Sequence, residues 1–380
     1  HMALPVRWLA VLLCACSFLP FDAPAQGRDT SRTPSVSLSG VLFANFQYRT
    51  DDAARDANRF DLERIYLTAR TPLGDRASLR FTTDVFQQTG AGDSYYRGWT
   101  IRAKYAYLQY DFLRSAGRTT ALARLGMLHT VVIEHIESFW PRWISTVPVD
   151  RYGYFSSADL GVAAEVKLPG SMGEVYATVT NGPGYTSRET DRFKDFAARL
   201  SLTPLASTPA GFMRSLTLTA WGYRGALASR FVDGGSGQIG PVSSSLRRDR
   251  WGVFAGVRDP RVTVGAEYSV RRDEGELGQN TPAAPRLVND STGTVTSAFA
   301  VVRPFRLVDA SSTVPLSLVA RWDRLEPNDD RDAAARLLIA GVVWDLTSRL
   351  SLSLDYQGLS ARGASVPETT TMFLHAYAAF

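Results

Sequence analysis

Cysteine is nearly absent from the chain: Cys14 and Cys16 are its only two, and both lie in the first 25 residues. If that segment is removed, no thiol remains, which excludes disulfide staples, thiolate chemistry and cysteine-ligated metals. Lysine is as scarce, with Lys104, Lys167 and Lys194 the only ones among 42 basic residues; arginine supplies the rest, against 37 acids, for a net charge of +5. No basic run is dense enough to point to nucleic acid. Beyond His1 the histidines are His129, His135 and His375, with no metal-binding spacing, and a Gly-x-Ser-x-Gly nucleophile motif is missing. No metal, cofactor or enzymatic activity is therefore expected. Long apolar runs are absent too. The longest, Trp8 to Leu19, is shorter than the roughly 20 residues of a spanning helix, so a helical membrane protein is excluded.

That run has another use. Arg7 precedes it and Ala23-Pro24-Ala25 follows it before Gln26, which together read as a secretory signal peptide over 1–25. Leu13-Cys14-Ala15-Cys16 is a poor lipoprotein-like alternative. His1 ahead of Met2 is set aside as a cloning remnant. Residues 26–35, polar with Pro34, read as a mobile leader, and 36–380 as a single domain without internal boundary.

What fills that domain is alternation. Val36, Leu38, Gly40, Leu42, Ala44, Phe46 and Tyr48 interleave with Ser37, Ser39, Val41, Phe43, Asn45, Gln47 and Arg49, a period of two held longer than in most soluble sheets. The same pattern recurs near 60–71, 76–88, 101–112, 120–128, 159–168, 174–181, 194–203, 214–225, 248–258, 261–272, 294–303, 314–325, 335–346, 350–359 and 370–380. Sixteen strands result, an even number. Their connections alternate between short (72–75, 113–119, 169–171, 204–213, 259–260, 304–313, 347–349) and long (50–59, 89–100, 129–158, 182–193, 226–247, 273–293, 326–334, 360–369). The fold class predicted is all-β: a transmembrane antiparallel barrel with short turns at one rim and long loops at the other. A soluble sandwich has no reason to sort its loops this way. Closure satisfies the backbone and lipid takes the apolar face, so no globular core is expected. Tyr48, Tyr110, Phe112, Trp344 and Tyr356 sit near strand ends as interfacial girdle candidates. The chain closes on an alternating strand whose last residue, Phe380, faces outward with Leu374 and Met372, while His375 and Tyr377 face in. This resembles the C-terminal signal by which the barrel assembly machinery recognises outer-membrane proteins.

The long connection 129–158 differs from its neighbours. Val131, Val132, Ile133, Ile136, Phe139, Trp140, Trp143, Ile144 and Val147 are interspersed with His129, Glu134, His135, Glu137, Arg142, Asp150 and Arg151. An apolar loop of that length must pack on something, and the wide lumen of a sixteen-stranded barrel offers a wall, so this third long loop is predicted to fold inward as a constriction. Parity then assigns the lumen bases Arg64, Arg70, Arg80, Arg124, Lys167, Arg199, Arg271 and Arg321, and the acids Asp84, Asp111, Glu165, Asp195, Glu267, Asp323 and Asp355. The signs nearly cancel. Interspersed charges produce a transverse field suited to small polar solutes, and pairs such as Arg199 with Asp195 or Arg321 with Asp323 are candidates to stiffen the wall.

Several short stretches resemble the phosphate-selective porin O and P family: Arg124-Leu125-Gly126-Met127 before the long loop, Asp159-Leu160-Gly161-Val162, Tyr176 through Thr180-Asn181-Gly182-Pro183-Gly184, Lys194 through Arg199, Ala320-Arg321-Trp322-Asp323 and Gly341-Val342-Val343-Trp344. The resemblance implies a trimeric porin of the bacterial outer membrane with its third loop in the lumen. The phosphate-specific members line their pores with arginine ladders and lysine clusters, whereas here the lysines are scattered and nearly every lumenal base has an acid. The expectation is a passive channel for small polar or anionic solutes. A non-conducting structural or adhesive barrel is the second reading, and a lipid-modifying enzyme built around His375 the third.

Overall fold

The computed structural model describes residues 35–87, 98–114, 118–189, 191–208, 211–232, 239–277, 287–363 and 368–380. The segments read as a signal peptide, 1–25, and as a leader, 26–35, lie outside the described residues but for Ser35. The sixteen strands are β1 Ser37–Arg49, β2 Asn58–Pro72, β3 Ala77–Gln87, β4 Trp99–Leu113, β5 Thr120–His129, β6 Ala158–Lys167, β7 Gly173–Thr180, β8 Asp195–Leu202, β9 Thr217–Val232, β10 Ile239–Arg258, β11 Val262–Leu277, β12 Leu287–Val302, β13 Leu316–Glu326, β14 Ala334–Thr347, β15 Leu350–Arg362 and β16 Thr369–Ala379. Each pairs antiparallel with its sequence neighbours, and β1 pairs with β16, so the sheet closes into a barrel.

Alternation in the sequence becomes alternation in exposure. Along β8, Asp195, Ala197, Arg199 and Ser201 are buried while Phe196, Ala198, Leu200 and Leu202 are exposed, and β13 repeats the pattern. On β8 the exposed set is the apolar one, as a barrel in lipid requires. The last residue extends the β1–β16 pairing that closes the barrel. Gly40 N–H donates to the Phe380 carbonyl at 2.8 Å and Phe380 N–H returns a bond to Gly40 at 3.0 Å. The Phe380 ring lies over Gly40 so closely that a Cβ there would sit 2.2 Å from Cζ.

Two features depart from the sequence reading. The connections expected at 226–247 and 273–293 are largely strand: β9 runs to Val232, β10 starts at Ile239, β11 runs to Leu277 and β12 starts at Leu287. Polar residues mislead there because they pair across strands, as Arg247 does with Asp290 at 3.1 Å and Arg250 with Asp273 at 3.4 Å. The second departure is an apolar core inside the barrel. Val295, Phe299, Val301, Val319, Leu337 and Ile339, all on the inner face of β12–β14, are buried against the segment between β5 and β6.

Candidate functional site

The segment 130–157 contains two short helices, α1 Ile133–Glu137 and α2 Pro148–Arg151, and a third, α3 Pro304–Val308, lies in a short connection elsewhere. Pro148 sits in the first turn of α2, where its missing N–H costs no bond. The ends of 130–157 are tied together by Thr130, whose hydroxyl donates to the Ser156 carbonyl at 2.7 Å.

Its apolar side is seated on the wall. Trp140, 1% exposed, packs on Phe299 with ring centroids 5.4 Å apart, and its indole N–H donates to the Ser145 carbonyl at 2.8 Å. Phe139 meets Phe254 at 4.9 Å and Phe155 meets Trp221 at 5.1 Å. Wall side chains satisfy the segment's backbone: Arg321 donates to the Thr146 carbonyl at 2.6 Å, Gln357 to Ile144 at 3.0 Å, Arg258 to Ser138 at 2.9 Å, and Arg199 to Val131. Anchors therefore come from β8, β10, β13 and β15.

Several inward residues consequently lie under the seat. Arg321 and Asp323 are fully buried, joined at 2.6 Å, and Asp323 also accepts from Ser297 at 2.7 Å and Tyr152 at 3.1 Å. Glu267, 4% exposed, is buried on the same wall. Arg199 pairs with Glu174 rather than Asp195, which accepts from Tyr223 instead. Residues four apart on one strand are some 13 Å apart, so the neighbouring strand supplies the nearer partner. His375 faces inward, 2% exposed and stacked on Phe373 at 4.8 Å, away from any lipid-facing rim.

The charged edge of the segment faces β2–β5, and side chains bridge the gap between them. Arg142 pairs with Glu137 at 2.6 Å, lies 3.9 Å from Asp150, and crosses the gap to donate to the Tyr66 hydroxyl at 2.6 Å. Lys104 Nζ donates to the same oxygen at 3.1 Å. Lower down, Arg80 reaches Glu134 at 3.8 Å and stacks over Tyr105 at 4.4 Å. Asp84, fully buried, holds Arg102 at 2.8 Å and Arg64 at 3.4 Å. Burial pushes the Glu137 carboxyl up to about 7 against the opposing pull of Arg142. Burial likewise raises Asp150, again opposed by Arg142. For His135, burial and then the Arg199 and Arg258 charges lower it to about 3. The imidazole is thus neutral at physiological pH and is fixed by a 2.8 Å hydrogen bond to Thr219.

His129 ends β5 rather than opening the loop, stacked on Tyr176 at 4.8 Å and 3.4 Å from Arg124. Arg151 is exposed and donates to Ser145 at 3.2 Å.

Two residues of the gap escape the parity reading, Lys104 and Glu63. The β3–β4 register skips at Lys104, and the β1–β2 register skips at Glu63. Each is the extra residue of a β-bulge, and a bulge re-aims the side chain it adds. Above Lys104 the inward positions become Arg102 and Thr100, below it Tyr105 and Tyr107. An abrupt change of parity within 101–107 was the available signal.

Beneath the segment, on the short-turn side, opens a vestibule of about 1100 Å³. Its roof includes His129, Glu134, His135 and Phe139, and Arg124 holds Glu165 at 2.9 Å on its wall while Lys167 holds the same carboxylate at 3.1 Å. Eight arginines and lysines line it against four carboxylates. The cancellation expected from strand parity fails here because the turns contribute Arg114 and Arg118, and the end of β10 contributes Arg258.

No protein-family profile matches the chain, and no curated protein matches it. Solved structures do. An anion-selective porin from Comamonas acidovorans is similar with a TM-score of 0.60 at 12% identity, covering 92% of this chain and 100% of that one. The outer membrane channel DcaP of Acinetobacter baumannii has a TM-score of 0.56 at 14% identity, covering 93% and 99%. Salmonella typhi OmpF, in a complex with daunomycin, has a TM-score of 0.60 at 12% identity, covering 91% and 98%. At these identities the likeness shows the fold, and the fold is that of the outer-membrane porin barrels.

Proposed function

We propose that the protein is a passive porin of the bacterial outer membrane, through which small polar or anionic solutes diffuse past a constriction formed by 129–158. The observation that carries this reading is the basic vestibule, which ends at the gap between the charged edge of the segment and the β2–β5 wall. In this reading Arg80, Arg124, Lys167 and Arg199 draw anionic groups in from water. Glu134, Glu137, Arg142 and Asp150 then set the field in the narrow section, with Arg64 and Asp84 opposite. No step needs a cofactor or an energy source. Closely spaced charges of both signs favour polar solutes, and the net basic vestibule favours anions among them. The partners that go with the reading are outer-membrane lipid around the barrel, the assembly machinery acting on the Phe380 strand, and two further copies of the chain in a homotrimer.

One contact favours the second reading, a barrel that does not conduct: Arg142 spans the gap to Tyr66. Reversal potentials in planar bilayers under a salt gradient, with and without phosphate, separate the two. The porin reading expects stable steps with an anion-leaning reversal potential. A membrane that stays silent with folded barrel inserted sinks it.

A further inference from the structure

Lys104 differs from the other basic groups of the gap in having no carboxylate to answer it. Its side chain is 4% exposed, and among the described residues no acid lies within ion-pair reach of its ammonium. The carboxylates in its field are engaged elsewhere: Asp84 by Arg102 and Arg64, Glu134 by Arg80, Glu137 and Asp150 by Arg142. Glu63, the other bulge residue, lies in the field of Arg142, His375 and Arg64. Glu137, whose carboxyl burial raises to about 7, is moreover only half ionised at neutral pH. A buried ammonium without a counter-charge is costly. In place of one the wall supplies the Tyr66 and Tyr105 rings, with centroids 4.1 and 5.4 Å from Nζ.

The oxygen that Lys104 does reach is shared. Nζ donates to the Tyr66 hydroxyl at 3.1 Å and Arg142 Nη1 donates to it at 2.6 Å, so two cations converge on one neutral atom and occupy both its lone pairs. The Tyr66 O–H itself and two N–H groups of Lys104 find no acceptor among the described residues. Three unspent donors at one spot, two of them on an ammonium, match the two oxygens of a carboxylate. Beside them runs a line of rings. Tyr66 meets Phe43 at 5.8 Å, Phe43 meets Tyr377 at 5.9 Å, and Tyr377 stacks on Trp143 at 5.9 Å. Tyr66, Tyr377 and Trp143 are half-buried and keep contact with the lumen. A hydrated halide gains nothing from that line, whereas the apolar body of an organic acid buries surface on it. A phosphate dianion would bring its second charge against Glu137 and Asp150, both already served by one arginine.

We propose that the gap binds one small monovalent organic carboxylate, with its oxygens on Lys104 and the Tyr66 hydroxyl beside Arg142 and its apolar body along the Phe43, Tyr377 and Trp143 rings. The proposal rests on the porin reading for its purpose, since it names the solute class that the gap prefers, but binding itself needs no conduction.

The test titrates benzoate into the full barrel folded in an uncharged detergent, with detergent alone as the blank, and follows binding by ligand-detected NMR. Benzoate binds the wild-type barrel saturably, and Lys104→Met weakens it about ten-fold, the scale of one lost charge-assisted hydrogen bond. Lys104→Arg recovers most of that loss. Tyr66→Phe keeps the ring, removes the shared oxygen and weakens benzoate too, so the site stays testable if Lys104→Met does not fold. Acetate, which lacks the apolar body, competes less well than unlabelled benzoate, and benzyl alcohol, which lacks the carboxylate, does not compete. Arg362→Gln, at an exposed pair with Asp332, leaves binding unaltered and controls for general loss of charge. Equal affinity in the wild type and in the folded variants at Lys104 and Tyr66 overturns the proposal, as does competition by benzyl alcohol as strong as that by acetate. So does displacement of benzoate by inorganic phosphate at concentrations below those acetate needs, which would make the site one for phosphate. Heat-modifiable gel mobility verifies that each variant is folded. Single-channel conductance keeps the two readings apart: a barrel that binds benzoate but stays silent sinks the porin reading alone, and one that conducts without binding benzoate sinks only the carboxylate site.

Discussion

Buried charge is the dominant feature at the scale of single residues. Arg321 and Asp323 lie without solvent contact beneath the segment 130–157 and answer each other at 2.6 Å. Removing one partner strands the other, so Arg321→Met should lower stability in detergent by about 3–5 kcal/mol, and pairing it with Asp323→Leu should restore most of the loss. Urea unfolding followed by tryptophan fluorescence measures both, and a single-variant loss below about 1 kcal/mol contradicts the burial argument. Glu137 makes a pH statement. Its carboxyl is raised from 4.5 to about 7 in the folded protein, so the folded state holds the proton more tightly than the unfolded one. Below pH 4.5 that contribution is fully present, and it is lost as the pH climbs through 7. Glu137→Gln should flatten the decline between pH 4.5 and 7, and an identical pH slope in variant and wild type refutes it. The Arg321–Asp323 pair was legible in the sequence because two residues apart on a strand share a face. Lys104 and Glu63 were not, since a bulge leaves no mark in the alternation except a break in it.

At the scale of elements, strands were the readable part and connections the obscure one. Each of the sixteen alternating runs corresponds to a strand, because a wall with lipid on one side and polar groups on the other forces period two throughout. The ends of β9–β12 were hidden, since above the lipid neither face needs to be apolar and strand there resembles loop. The segment 130–157 was recognisable as one that must pack, from its density of Val, Ile, Trp and Phe. Its seat was not, because residues such as Val319 and Ile339 stand in a wall that parity alone marks as wet. Trp140 is the centre of that contact, so Trp140→Ala should cost about 3–5 kcal/mol of stability and free the segment enough to raise conductance. Undiminished stability with unchanged conductance would mean that the seat does not hold the segment.

For the whole molecule, the critical event is closure between the first and last strands. Gly40 and Phe380 exchange backbone hydrogen bonds, and the phenyl ring leaves no room for a Cβ at position 40. Gly40→Val should therefore slow the appearance of heat-resistant barrel several-fold in refolding assays, and Phe380→Ala in the same chain should relieve the block by vacating that space; failure of the second change to rescue the first counts against the contact. A closed barrel with a seated segment and a basic vestibule is the arrangement from which passive conduction was inferred. The most direct test is single-channel conductance in planar bilayers, comparing the wild-type chain with one lacking 134–145. A stable wild-type conductance that rises on the deletion is the predicted result, and a conductance that is absent, or indifferent to the deletion, contradicts the account.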